Sequence, residues 1–188
     1  YPKLLAKIYD PPPIIFYLGS LECLSKPTLA IVGSRSADRN GCDIATEMAS
    51  ALADAGVTVI SGLALGIDGA AHSGALSKGV PGATVAVLGN GLPAIYPRRH
   101  ERLAQNIIEA EGSLLSQFEP DTAAFPSNFL NRNRLIAGLS LGVLVVQADL
   151  RSGSLVTARY AIEEGREVLA IPGAISDARH KGTNSLIR

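Results

Sequence analysis

Arginine, serine and glycine carry most of the chemistry this sequence offers, and they recur in short clusters. Gly33-Ser34-Arg35-Ser36 joins a residue that turns tightly, two hydroxyls and a planar fork of donors. The serines either cap a following helix or bind an anion, and the arginine is either solvated or an anion ligand. Ser61-Gly62-Leu63-Ala64-Leu65-Gly66-Ile67-Asp68-Gly69, followed by His72, leaves open backbone at its small residues, as a phosphate or sugar would need. Asp68 and His72 are four apart on a helix face. That spacing suits a cap or a local hydrogen bond as well as catalysis or a metal.

Three further clusters follow. Gly89-Asn90-Gly91 precedes Tyr96-Pro97-Arg98-Arg99. In Phe129-Leu130-Asn131-Arg132-Asn133-Arg134, Asn131 or Asn133 is expected to cap a helix, which sets Arg132 and Arg134 at its positive end. The helix dipole disfavours cations there, so either an anion or a salt bridge within the core must compensate. Arg151-Ser152-Gly153-Ser154 opens another helix, as an anion cradle or an ordinary cap.

These clusters sit where short apolar runs end. Residues 29–32, 57–60, 84–88, 114–115, 142–146 and 168–171 are continuous and mostly β-branched, as in strands buried on both faces of a parallel sheet. Amphipathic stretches over 43–55, 100–111 and 155–164 alternate with them, closed by Gly56, Gly112 and Gly165. The pattern predicts an α/β fold: a doubly wound, mostly parallel, Rossmann-like sheet over 27–188. Residues 1–26, with Pro11-Pro12-Pro13 and a possible edge strand at 14–18, read as an extension packed on that core.

Composition narrows the function classes. Among 188 residues, 47% are apolar and 18% charged, which excludes disorder for most of the chain. Lys+Arg and Asp+Glu are both 17, so no basic coat exists and any anion site must come from local placement. Seven of the twelve arginines (35, 39, 98, 99, 132, 134 and 151) fall in or beside the expected carboxyl-edge loops. With Tyr96, Phe125 and Phe129 nearby, that rim suits a sugar-phosphate strand with unstacked bases better than a small metabolite. Cys23 and Cys42 form no CxxC pair, which argues against zinc or a disulfide framework and for a reducing compartment. No apolar run approaches the ~18 residues that span a bilayer, and Tyr1-Pro2-Lys3 does not begin a signal peptide, so no membrane role and a cytoplasmic location are expected. A P-loop, a dinucleotide fingerprint and a G-x-S-x-G nucleophile motif are all missing, so no cofactor and no catalytic residue are expected.

The ordered motifs resemble the DNA-processing protein A family (DprA/Smf) along essentially the whole chain. The resemblance is carried by Val32-Gly33-Ser34-Arg35, the 61–68 stretch with His72, Gly89-Asn90-Gly91, Arg132-Asn133-Arg134-Leu135-Ile136-Ala137-Gly138-Leu139-Ser140, Ser152-Gly153-Ser154-Leu155, Pro172-Gly173 and Gly182-Thr183-Asn184. It implies an extended Rossmann fold that binds single-stranded DNA, forms homodimers and loads a RecA-type recombinase during natural transformation. On matching positions it implies Gly33, Ser34 and Arg35 at phosphates. Ser61, Gly62, Ala64, Gly66, Ser152, Gly153 and Ser154 would line the pocket. Arg132, Asn133 and Arg134 would support or contact the strand, and Phe129 would be the stacking platform. The chain departs from the family at Phe129-Leu130-Asn131, where Phe-Pro normally stands one residue before Arg-Asn-Arg, and at Gln117 and Gln147, where many members have acids. The rival reading is a nucleotide phosphoribohydrolase like the LOG or lysine-decarboxylase-like group. Pro172-Gly173 here lacks the Gly-Thr-x-x-Glu continuation that such an enzyme uses.

Overall fold

The computed structural model describes residues 1–187; residue 188, the last of the expected main unit, lies outside them. Seven strands form one sheet in the order β1-β5-β4-β3-β2-β6-β7. They are β1 (Phe16–Gly19), β2 (Thr28–Val32), β3 (Thr58–Ser61), β4 (Thr84–Val87), β5 (Ser113–Ser116), β6 (Gly142–Val145) and β7 (Glu167–Ala170). All neighbours are parallel except β1, which runs antiparallel to β5 with Phe16 opposite Ser116. Every residue of β3, β4, β5 and β6 is buried, which is why the sequence shows continuous apolar runs there.

The strands alternate their side chains between two helical layers. Ala30, Val32, Val85 and Val87 face α4 (Pro126–Gly138) and α5 (Ser154–Glu163). Ile31, Val59 and Val146 face α1 (Arg39–Asp54) and α2 (Ile67–Leu76), and Ala86 and Leu88 pack on α3 (Glu101–Glu109). α6 (Lys181–Leu186) closes the β7 end. Residues 1–15 cross α4, where Leu5 and Ile8 are buried.

Two helix ends differ from expectation. α1 begins four residues earlier than the apolar stripe because Asp38 caps it, accepting the Gly41 N–H at 2.8 Å. α3 is closed by Glu111 in the left-handed region (φ 61°) rather than by Gly112. Gly112 is needed for close approach instead, since a Cβ there would sit 2.4 Å from the Thr84 carbonyl.

The correction that matters most for function is α4. It starts at Pro126, seven residues before Asn133, with extended Phe125 ahead of it. Arg132 and Arg134 therefore lie in its middle and not at its positive end, so the dipole conflict read from the sequence does not exist. The apolar stripe is interrupted because Arg132 and Asn133, both buried, occupy the inward face between Phe129 and Ile136.

From β2 the chain winds one way through β3, β4 and β5, then returns to the other side of β2 for β6 and β7. The reversal point lies between the carboxyl ends of β2 and β6. In open α/β sheets that is where a crevice must form, because the two crossover connections leave in opposite directions.

Candidate nucleic-acid interface

A cleft of about 440 Å³ opens at that reversal point. Gly33, Ser34 and Arg35 line it from the β2–α1 loop, and Ala64 from the turn before α2. Phe129, Arg132 and Asn133 enter from α4, and Ser152, Gly153 and Ser154 from the start of α5. Arg35, Arg132 and Ser152 thus converge on one hollow from three separate connections.

The two central arginines differ in kind. Arg35 is exposed and its guanidinium lies 5.1 Å from the centre of the Phe129 ring. Arg132 is 3% exposed. Its Nη1 donates to the Gly62 carbonyl at 2.7 Å and to the Val87 carbonyl, and its Nε donates to Asn133 Oδ1 at 3.3 Å. Burial lowers its pKa to about 10, so it remains a cation at neutral pH. Asp68, also buried, accepts from the N–H groups of Gly62 at 3.2 Å and Ala64 at 3.4 Å. Burial pushes its carboxyl up, while the Arg132 charge and those two N–H groups pull it back. Asp68 and Arg132 hold the Gly62 peptide from its two ends and neutralise each other inside the fold.

That clamp changes the reading of the 61–66 turn. Its open backbone does not admit a ligand at every small residue. A Cβ at Gly62 would meet the Arg132 guanidinium at 2.7 Å, so this glycine exists for the arginine. Gly66, at φ 75°, backs onto the Ser34 carbonyl, where a Cβ would stand 2.3 Å away. The Ile67 N–H donates to that same carbonyl at 3.2 Å, so the N-terminus of α2 is satisfied by the neighbouring loop. Ser61 is fully buried and donates to the Ile31 carbonyl at 2.6 Å. Ser61 and Gly66 are therefore framework rather than lining, and Gly62 borders only a small recess of about 60 Å³ behind Phe129.

Arg134 also departs from expectation. One helical step from the cleft face, it turns to the N-terminal segment and donates to the Asp10 carbonyl and to Gln117 Oε1 at 2.8 Å. Its carboxylate partner is Asp10 at 3.3 Å. It lines a separate hollow with Tyr9 and Asn131. Asn133, by contrast, bridges the cleft walls: its Nδ2 donates to the Gly153 carbonyl at 3.2 Å while its Oδ1 takes the Arg132 proton.

Phe129 is half-buried and already partnered. Arg35 lies over it, Arg132 is 6.0 Å from its centre, and the Tyr96 ring stands 5.4 Å away at 37°. The ring holds Arg35 in place, and the exposed aromatic surface beside it belongs to Tyr96. At the α5 wall, Ser152 and Ser154 hydroxyls bond each other at 2.7 Å, Ser152 Oγ accepts the Ser154 N–H at 3.3 Å, and the Leu155 and Val156 N–H groups donate to the Ser152 and Gly153 carbonyls. The two hydroxyls and the positive end of the helix dipole line the cleft. Thr157, in the helix that the Ser152-Gly153-Ser154 motif opens and not among the expected site residues, is buried at the cleft floor one turn along from Ser154, and that i, i+3 spacing is the available signal.

Asp68 and His72 form no pair: His72 Nδ1 bonds Thr84 Oγ1 at 2.7 Å, while Asp68 accepts from the Gly62 and Ala64 N–H groups. Burial lowers the His72 pKa to about 3, which keeps the ring neutral. Among the described residues no cluster of three metal-ligating side chains occurs, and no helix is long and apolar enough to cross a membrane.

The family profile described as DNA recombination-mediator protein A matches residues 1–188. Protein Smf of Escherichia coli (strain K12) is 50% identical over the whole chain, which covers 50% of that protein. DNA processing protein DprA of Streptococcus pneumoniae is a solved structure at TM-score 0.92 and 42% identity, with all of this chain matched to 65% of that one. A third, at TM-score 0.90 and 32% identity, is described as showing the unique single-stranded DNA binding mode of DNA processing protein A from Helicobacter pylori; the match covers 100% of this chain and 84% of that one. The chain thus spans about half to two-thirds of the length of the first curated relatives it matches.

Proposed function

Because the chain belongs to the DNA recombination-mediator protein A family, we propose that its cleft binds single-stranded DNA with little regard to sequence. The observation that carries this reading is the convergence of Arg35, Arg132 and the serine-lined positive end of α5 on one hollow of an electrically neutral protein. Phosphates sit on the exposed Arg35 fork and on the Ser152–Ser154 wall. Arg132, balanced by Asp68 and committed to carbonyls, holds the cleft floor in shape from beneath. Unstacked bases rest on the apolar rim, where Tyr96, Phe125 and Leu130 are about half exposed. Each stacked base contributes about 1–3 kcal/mol. The H. pylori relative, named for its single-stranded DNA binding, supports the same ligand here.

The reading is of a binding protein with no catalytic step. Asp68 is committed to backbone N–H groups and Ser61 to a carbonyl, so neither serves as base or nucleophile. The glutamate that a phosphoribohydrolase of the LOG type uses is missing after Pro172-Gly173. From the family we also take a homodimer that hands its strand to a RecA-type recombinase in natural transformation, inside the reducing cytoplasm. The test compares single-stranded with duplex oligonucleotides across a salt series. Tighter single-strand binding that weakens with salt supports the reading, and equal affinity for the two forms sinks it.

A further inference from the structure

Arg35 stands on the 33–38 loop, which is tied to α2 where the Ile67 N–H donates to the Ser34 carbonyl and to the end of β6 through Gln147. The Ser34 N–H donates to the Gln147 carbonyl at 2.7 Å, and the Asp38 N–H donates to Gln147 Oε1 at 3.2 Å. Gln147 Nε2 donates to Asp38 Oδ1, also at 3.2 Å. Gln147 is fully buried just past β6, and a Cβ on Gly41 would come within 3.1 Å of its Oε1, so the amide has no room to leave. One side chain and its own carbonyl therefore grip both ends of the loop that presents Arg35.

We propose that Gln147 is a positioning residue for strand binding, fixing Arg35 over the cleft through its two-way amide bond with Asp38. The proposal rests on the strand-binding reading above. An amide is suited to this place because it must accept from the Asp38 N–H and donate to the Asp38 carboxylate at once. That carboxylate stays ionised: the Gly41 N–H, Gln147 and Arg179 hold it below the usual carboxylate range. Arg179 pairs with its other oxygen and with Asp177, whose pKa is held at about 2, and His180 adjoins Asp177.

The diagnostic variant is Gln147→Glu, which keeps the shape but sets a second carboxylate against Asp38. Like charges at that distance raise the pKa of the pair, so near pH 5 the pair holds one proton and an O–H replaces the amide donor. Single-strand affinity is expected to fall about tenfold at pH 8, the scale of a buried hydrogen bond lost. At pH 5 it is expected to return to near the wild-type value measured at that pH; the wild-type control also removes any contribution from His180. Gln147→Met, which lacks both bonds, should bind weakly at both pH values. Hydrogen exchange at the Asp38 and Gly41 amides should quicken in Gln147→Glu at pH 8 with no DNA present. Wild-type affinity at pH 8, or an equal loss at both pH values, overturns the proposal. If Arg35→Ala binds normally, the strand-binding reading itself has failed; if only Gln147→Glu does, the brace alone has failed.

Discussion

Two arginines of the same cleft have opposite duties because one is wet and the other dry. Arg35 keeps its donors free, so Arg35→Ala should weaken single-strand binding at least tenfold and lower the salt slope by about 0.7, one phosphate's worth on a single strand. Isotherms from low to moderate salt check both numbers; an unchanged slope would show that Arg35 meets no phosphate. The sequence marked both arginines but could not rank them, because burial depends on α4 and on the packing of Gly62. It also pointed to the Asp68–His72 spacing, where the structure finds two unrelated hydrogen bonds.

His72 gives a pH prediction at the same scale. Its folded pKa, about 3, lies below the unfolded value near 6.5. Between these limits the unfolded chain binds the extra proton, so acidification costs stability, by up to about 1.4 kcal/mol per pH unit. Asp68, whose carboxyl is pushed up, opposes this at the acid end. The comparison is therefore the pH dependence of unfolding in wild type against His72→Gln. The variant should show the shallower loss from pH 6.5 downward, and matching slopes would contradict a neutral buried ring.

At the scale of elements, strands and their carboxyl-end loops were legible because burial on both faces writes continuous apolar runs. α4 was not, since its inward face carries Arg132 and Asn133 in place of apolar residues and hides its period. Pro126, at the first helical position, was the overlooked signal. The glycines of 61–66 were read as openings because the sequence cannot say what approaches a bare Cα; here protein atoms do. The α5 N-terminus offers a test that separates stability from binding. Ser152→Asp puts a carboxylate at the positive end of α5, where it can accept the Ser154 N–H in place of the hydroxyl, so thermal stability should hold or rise by roughly 0.3–1 kcal/mol. The same charge repels phosphate, and single-strand affinity should fall severalfold. Unchanged affinity would show that the strand does not pass this wall.

Across the whole molecule, zero net charge conceals an ordered one. Acids neutralise arginines elsewhere, as Asp10 does Arg134 and Asp43 does Arg39, while Arg35 is left to the cleft. The 1–15 segment crosses α4, and β1 and β7 are the two edge strands of the sheet; Leu169 on β7 is half exposed. An open edge strand is a pairing surface. If the proposed homodimer forms there, Leu169→Arg should give monomers in analytical ultracentrifugation. It should cost affinity on long strands but not on short ones, because only long strands engage two clefts.

The central claim is that the strand lies in the cleft between the β2 and β6 ends. The most direct measurement is photo-crosslinking of a halogenated homopolymeric single strand to the intact protein, mapped by mass spectrometry. The account predicts adducts within 33–39, 96–99, 125–133 and 149–157. Adducts concentrated on the outer faces of α1 and α3 or along β7, with the cleft peptides unmodified, would contradict it.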